Sequence, residues 1–154
     1  MRNALDVFGS YIFKRGKKYE DIYTVLVAKK KIFANMQQLF FLAASIGYKK
    51  QLRENFEAGQ DIRAEHLSSD SLELFYTIYL NDNQNVDALN DQNELRRYLK
   101  NDLVEYAEGG LKYLTEEVFS NTWNKNTLTL REDYEDYLED IMAFVKSENS
   151  EDLF

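Results

Sequence analysis

Side chains able to do covalent or metal chemistry are few in this sequence. Cysteine is absent and His66 is the single histidine. Thiolate zinc sites, iron–sulfur ligation, cysteine nucleophiles, histidine-based triads and multi-histidine metal sites are therefore excluded within one chain. Carboxylates number 27 in 154 residues, so close pairs arise by abundance alone and carry no signal of acid–base hydrolysis. The densest run, Glu132, Asp133, Glu135, Asp136, Glu139 and Asp140, lacks the alternating acids and central glycine of a calcium loop. It reads as a solvated helix face or as a surface for a basic partner. The six glycines form no phosphate-cradling loop. No catalytic, cofactor or metal residue is assigned, and the expectation is a non-enzymatic protein without a cofactor.

What remains is non-covalent recognition, and charge is its clearest signal. Three basic clusters stand near the start: Lys14, Arg15, Lys17 and Lys18; Lys29, Lys30 and Lys31; Lys49, Lys50 and Arg53. With Arg2, residues 1–53 hold eleven Lys and Arg against three acids, a net of +8, whereas residues 54–154 hold eight against twenty-four, a net of −16. Two such portions attract each other or attract different partners. The clusters could be solvated helix ends complementing the helix dipole, a docking face for an acidic protein, or a phosphate-contacting surface. These ten residues are the candidate partner or nucleic-acid contacts.

The elements that must position these residues read as helices. Proline is absent, so little punctuates the chain, and the fold class expected is all-α, five or six helices around a buried central one. Ala4 to Phe13 is a short apolar opening. Tyr19, Ile22, Tyr23, Leu26 and Val27 recur at helical spacing, although Ile22 to Ala28 also suits a strand; a strand there would give a strand–helix–helix opening of the kind that places a ribbon in the DNA major groove. Asn35 with Gln38 has the spacing of a capping box, opening a helix from Met36 to Ile46 that is apolar nearly all round, with Gly47 as its left-handed stop. Residues 48–68 read as a loop with at most one helical turn.

Further cap signals stand at Asp70 with Glu73, Asp91 with Glu94, and Thr129 with Glu132, each before an apolar stripe. The eleven tyrosines fall mostly on those stripes, as packing residues. The longest stripe runs Leu95, Leu99, Leu103, Tyr106, Ala107, Leu111, Leu114 and Val118, and Gly109-Gly110 lies within it. This pair implies a kink, a break or close helix packing. Asn35, Gly47, Gly109 and Gly110 are accordingly the expected structural positions. Residues 1–147 are expected to form one domain and 148–154 a frayed acidic tail. The longest apolar run, Leu39 to Ala44, is far short of the roughly twenty residues of a membrane span, and no secretory leader is visible; the chain reads as cytoplasmic.

Two segments, Ile32-Phe33-Ala34-Asn35 through Phe40-Phe41-Leu42-Ala43-Ala44-Ser45-Ile46-Gly47-Tyr48-Lys49-Lys50 and Val104-Glu105-Tyr106-Ala107-Glu108-Gly109-Gly110-Leu111-Lys112-Tyr113-Leu114, together resemble a known family. They are similar to the signatures of the DNA phosphorothioation-associated (dnd system-associated) protein 4 family, over roughly residues 20–118, with Glu108 where that family's pattern has Asn. The resemblance implies an accessory role in a bacterial antiphage defence system that couples sulfur modification of DNA to restriction. It also implies protein partners within a defence complex. DNA contact through the basic N-terminal third is the alternative, self-association is left open, and no membrane is involved. The resemblance brings no catalytic residues with it.

Overall fold

The computed structural model describes residues 2–150. Helix α1 (Ala4–Phe8) is closed by a reciprocal cap between Asn3 and Asp6, and the chain then extends into β1 (Ile12–Gly16). Helix α2 (Glu20–Tyr23) continues as a π-helical stretch, Thr24–Lys29, which buries Val25, Leu26 and Val27; the segment before Ile32 is thus helical rather than extended. Helix α3 (Met36–Lys50) follows, then β2 (Ala58–Arg63) and a short 3-10 turn, Ala64–His66. Helix α4 spans Ser69–Asn83. Helix α5 (Gln92–Tyr98) runs through a π-helical segment, Leu99–Leu103, into α6 (Val104–Glu117). A small hairpin of β3 (Trp123–Asn124) and β4 (Thr129–Leu130) precedes α7 (Tyr137–Ser150).

The fold is mostly helical, but the all-α expectation needs correction. Strands β1 and β2 pair antiparallel, Phe13 opposite Ile62 and Lys14 opposite Asp61, with a register slip between Lys14 and Gly16. Such an irregularity bends the strand and re-aims its side chains. Phe13 and Arg15 point inward while Ile12 and Lys14 face out, the two-residue period of a half-buried strand. The expected loop 48–68 therefore holds a strand and a 3-10 turn.

Helix α3 forms the centre. Its N-cap Asn35 accepts the Gln38 N–H at 3.0 Å, and Leu39, Phe40, Phe41, Ala43, Ala44 and Ile46 are buried. Helix α6 packs across it. A Cβ placed on Gly47 would lie 1.8 Å from the Tyr106 carbonyl oxygen, and one on Gly110 1.8 Å from that of Ala43. The two backbones touch at these glycines, an approach only a residue without a Cβ permits. Gly109 in turn faces the Leu52 backbone, where a Cβ would meet the carbonyl oxygen at 2.1 Å. The helix passes through Gly109-Gly110 unbroken.

Several expected boundaries move for identifiable reasons. Gly47 is not a left-handed stop: α3 continues to Lys50, and Gln51 takes that conformation at φ 55°. Helix α4 is capped by Ser68, whose Oγ accepts the Ser71 N–H at 3.1 Å, rather than by Asp70. The Thr129 and Glu132 pair caps no helix, because Leu130 is buried in β4 and its N–H is held by Asp21 Oδ2 at 2.7 Å. The acidic tail does not begin at 148: α7 includes Glu148, which is buried and paired with Lys50 at 3.0 Å. Residues 151–154 of the expected tail lie outside the described residues.

Candidate interaction surfaces and a buried carboxyl

Most residues of the basic clusters are paired or buried. Lys14 pairs with Asp61 at 2.5 Å. Arg15 is 4 % exposed, is bound through two nitrogens by Glu20 at 3.0 and 2.7 Å, and stacks over the Tyr23 ring at 4.5 Å; it is removed from any outer contact surface. Lys29 pairs with Glu132, and Lys30 with Glu135 at 3.3 Å. Lys50 meets Glu148 at 3.0 Å and lies over the Tyr113 ring, and this carboxylate holds its ammonium above the ordinary lysine range. Arg53 bridges Asp102 at 2.6 Å and Glu105 at 3.0 Å across the Tyr106 ring. Most partners come from the acidic portion, residues 54–154. Lys49 is exposed at the end of α3. Lys17, Lys18 and Lys31 are exposed and enter none of the ion pairs among the described residues. Lys31 stands at φ 54° just past the π-helical stretch.

Beneath the β1–α2 turn lies a carboxyl that the charge pattern does not reveal. Glu108 of α6 is 2 % exposed, and its carboxyl rests on the bare Cα of Gly16, where a Cβ would come within 1.7 Å of Oε1. Burial pushes its pKa up to about 7; Glu20 and Glu54 push the same way while Lys18 and Arg15 oppose them. Removing a carboxylate from water penalises its charged form. The Tyr23 hydroxyl is fully buried and has no hydrogen-bond partner among the described residues; burial first, and then the nearby Glu108, raise its pKa, as they do for Tyr19. A signal for Glu108 does exist in the sequence: it lies four residues after Val104 and three before Leu111, a lone acid on a buried stripe.

Two features face outward. A cleft of about 760 Å³ opens between the β1–α2 turn, the loop at Asn55–Glu57 and the tip of the β3–β4 hairpin. On α7, Leu138 is 47 % and Met142 61 % exposed, one helical turn apart and bordered by the exposed Glu135, Asp136 and Glu139. His66 is exposed at the end of its 3-10 turn and contributes its carbonyl to Gln37. No group of three or more His, Asp or Glu able to hold a metal ion occurs among the described residues. No helix among them is long and apolar enough to cross a membrane.

Neither the curated proteins nor the solved structures contain a match to the chain. The family model for DNA sulphur modification system-associated protein 4 matches residues 13–152. That match extends the resemblance beyond residues 20–118, taking in β1 with Gly16 on one side and the hairpin and α7 on the other. It covers most of the 154 residues, and the chain therefore belongs to the family of DNA sulphur modification system-associated protein 4.

Proposed function

We propose that this protein is a non-catalytic accessory subunit of a bacterial DNA phosphorothioation and restriction system, acting in the cytoplasm by binding other proteins of that system. Family membership supports the association. The observation that carries the mode of action is the internal neutralisation of the basic clusters: Lys14, Arg15, Lys29, Lys30, Lys50 and Arg53 are all held by carboxylates of the same chain. A lysine already paired must give up its carboxylate before it can neutralise a phosphate. The surface offered to partners instead has an apolar centre, Leu138 and Met142, beside Asp136 and Glu139 and with Lys146 one turn beyond Met142, which suits an amphipathic partner.

Titration of a labelled duplex with the protein at low salt tests this reading, and no binding is expected. The exposed Lys17, Lys18 and Lys31 favour the rival reading as a DNA-binding accessory factor. Affinity for duplex DNA falling steeply with salt would establish that rival. Co-purification with the other proteins of the system, lost on Leu138→Ser with Met142→Ser, is the positive result expected.

A further inference from the structure

The cleft beside the β1–α2 turn has a construction that the fold alone does not require. Its volume, about 760 Å³, lies within the roughly 300–1,000 Å³ of small-molecule sites. Phe56, half-buried, and Leu128, 37 % exposed, supply an apolar lining. Leu128 stands at φ 56°, a backbone region that residues with side chains seldom occupy and that draws attention to function. The hairpin tip is fixed there by Asn124, whose Oδ1 accepts the N–H groups of Asn126 and Thr127 at 2.9 and 3.1 Å and whose carbonyl accepts that of Leu128 at 2.8 Å.

Charges around the cleft are not equally available. Glu20 is engaged by Arg15 at 3.0 and 2.7 Å, and Asp21 accepts the Leu130 N–H at 2.7 Å. Lys17 and Lys18 are exposed on the same rim, Lys18 lying 5.4 Å from the Tyr19 ring. Glu57, exposed, opposes them together with Asp21, whose charge a neutral N–H does not cancel, and Asn55 presents an amide beside Glu57. The two exposed ammonium groups thus stand above an apolar surface that bare phosphate would not use. A ring can stack on an aromatic face while its anionic group meets the lysines.

We propose that this cleft binds a small anion carrying a flat ring, the chemistry of a nucleoside monophosphate, with the phosphate at Lys17 and Lys18 and the ring against Phe56 and Leu128. Free nucleotides and the 5′-phosphorylated end of a strand present the same chemistry. The site is independent of the protein-binding reading above.

Isothermal titration of the full chain with dAMP and dTMP, the corresponding nucleosides and inorganic phosphate tests the site. Short single strands with and without a 5′-phosphate identify the source. A nucleotide should bind at least about tenfold more tightly than either its nucleoside or phosphate. Lys17→Gln with Lys18→Gln, and separately Phe56→Ala, should each weaken it by about tenfold or more. The lone Trp123, on the same hairpin and 5.6 Å from the Tyr19 ring, should change its emission on binding. Binding of mononucleotide and strand end alike marks free nucleotide as sufficient, whereas binding of the phosphorylated strand alone marks the strand end; both support the site. No binding at millimolar nucleotide or strand end overturns it. So does binding that these variants leave unchanged, or equal binding of strands lacking the 5′-phosphate.

Discussion

Replacing Glu108 by Gln keeps the shape of the buried side chain and removes its ionisation, so its effect on stability should depend on pH in one direction only. The carboxyl ionises near 7 in the fold against an ordinary value of 4.5. Between those values the folded chain retains a proton that the unfolded chain has released, so folding loses stability as pH rises, and the loss is complete above about pH 7. At roughly 1.4 kcal/mol for each pH step, the total is on the order of 3 kcal/mol. Below pH 4.5 both states are protonated and Glu108 contributes nothing through this route. Glu108→Gln should therefore match the parent chain near pH 4 and exceed its stability by up to about 3 kcal/mol near pH 8. Urea unfolding followed by far-UV circular dichroism, at several values from pH 4 to 8.5, measures the difference directly. A difference that does not change with pH, or a variant less stable than the parent at pH 8, would refute the argument from burial. The geometry gives a second handle. Gly16→Ala places a Cβ on the Glu108 carboxyl and should destabilise the parent, but cost much less in a Glu108→Ala background, a non-additivity expected of contacting residues.

Gly110→Ala should lower the melting temperature, because the added carbon meets the backbone of Ala43 rather than a movable side chain; overpacking of this kind costs roughly 1–3 kcal/mol, and an unshifted transition would exclude close helix contact there. Asp82→Ala removes the acceptor 2.9 Å from the hydroxyl of the buried Tyr98 and should cost about 1–3 kcal/mol in chemical denaturation, most of it recovered when Tyr98→Phe is added. Lys29→Gln, by contrast, breaks a pair whose side chains are about half exposed and should cost no more than about 1 kcal/mol; a larger loss in the same assay would mean that the pair is energetically more than a surface contact.

Legibility of the fold followed the range of the interactions involved. Helices α3 and α5 announce themselves through Asn35 and Asp91, whose side chains accept N–H groups three residues on, and their stripes repeat within a few residues. Strand β2 does not, since its partner lies more than forty residues away and it buries Ile62 alone among Ala58–Arg63. The Thr129 and Glu132 pair has the spacing of a cap, yet Asp21, distant in sequence, captures the Leu130 N–H and keeps the chain extended. Gly47 is ambiguous in sequence because two properties of glycine, access to positive φ and lack of a Cβ, predict the same letter; the Tyr106 carbonyl shows that the second is used. Among the candidate contacts, Arg15 looks like its neighbours Lys14 and Lys17 until the bend of β1 turns it onto Tyr23 and Glu20.

The neutralising acids are also late acids. Protein synthesis proceeds from the N-terminus, so the first 53 residues, carrying +8, exist before Asp102, Glu105, Glu132, Glu135 and Glu148 have been added. The nascent segment is a polycation, the charge that draws phosphates, and contacts spanning a hundred residues, such as Lys29 with Glu132, form only after most of the chain has been made. Completion of the chain thus changes the electrostatic character of its first third from an unbalanced polycation to a paired one, and a chain cut short before Arg131 would leave Lys29, Lys30 and Lys50 without the carboxylates that meet them in the fold.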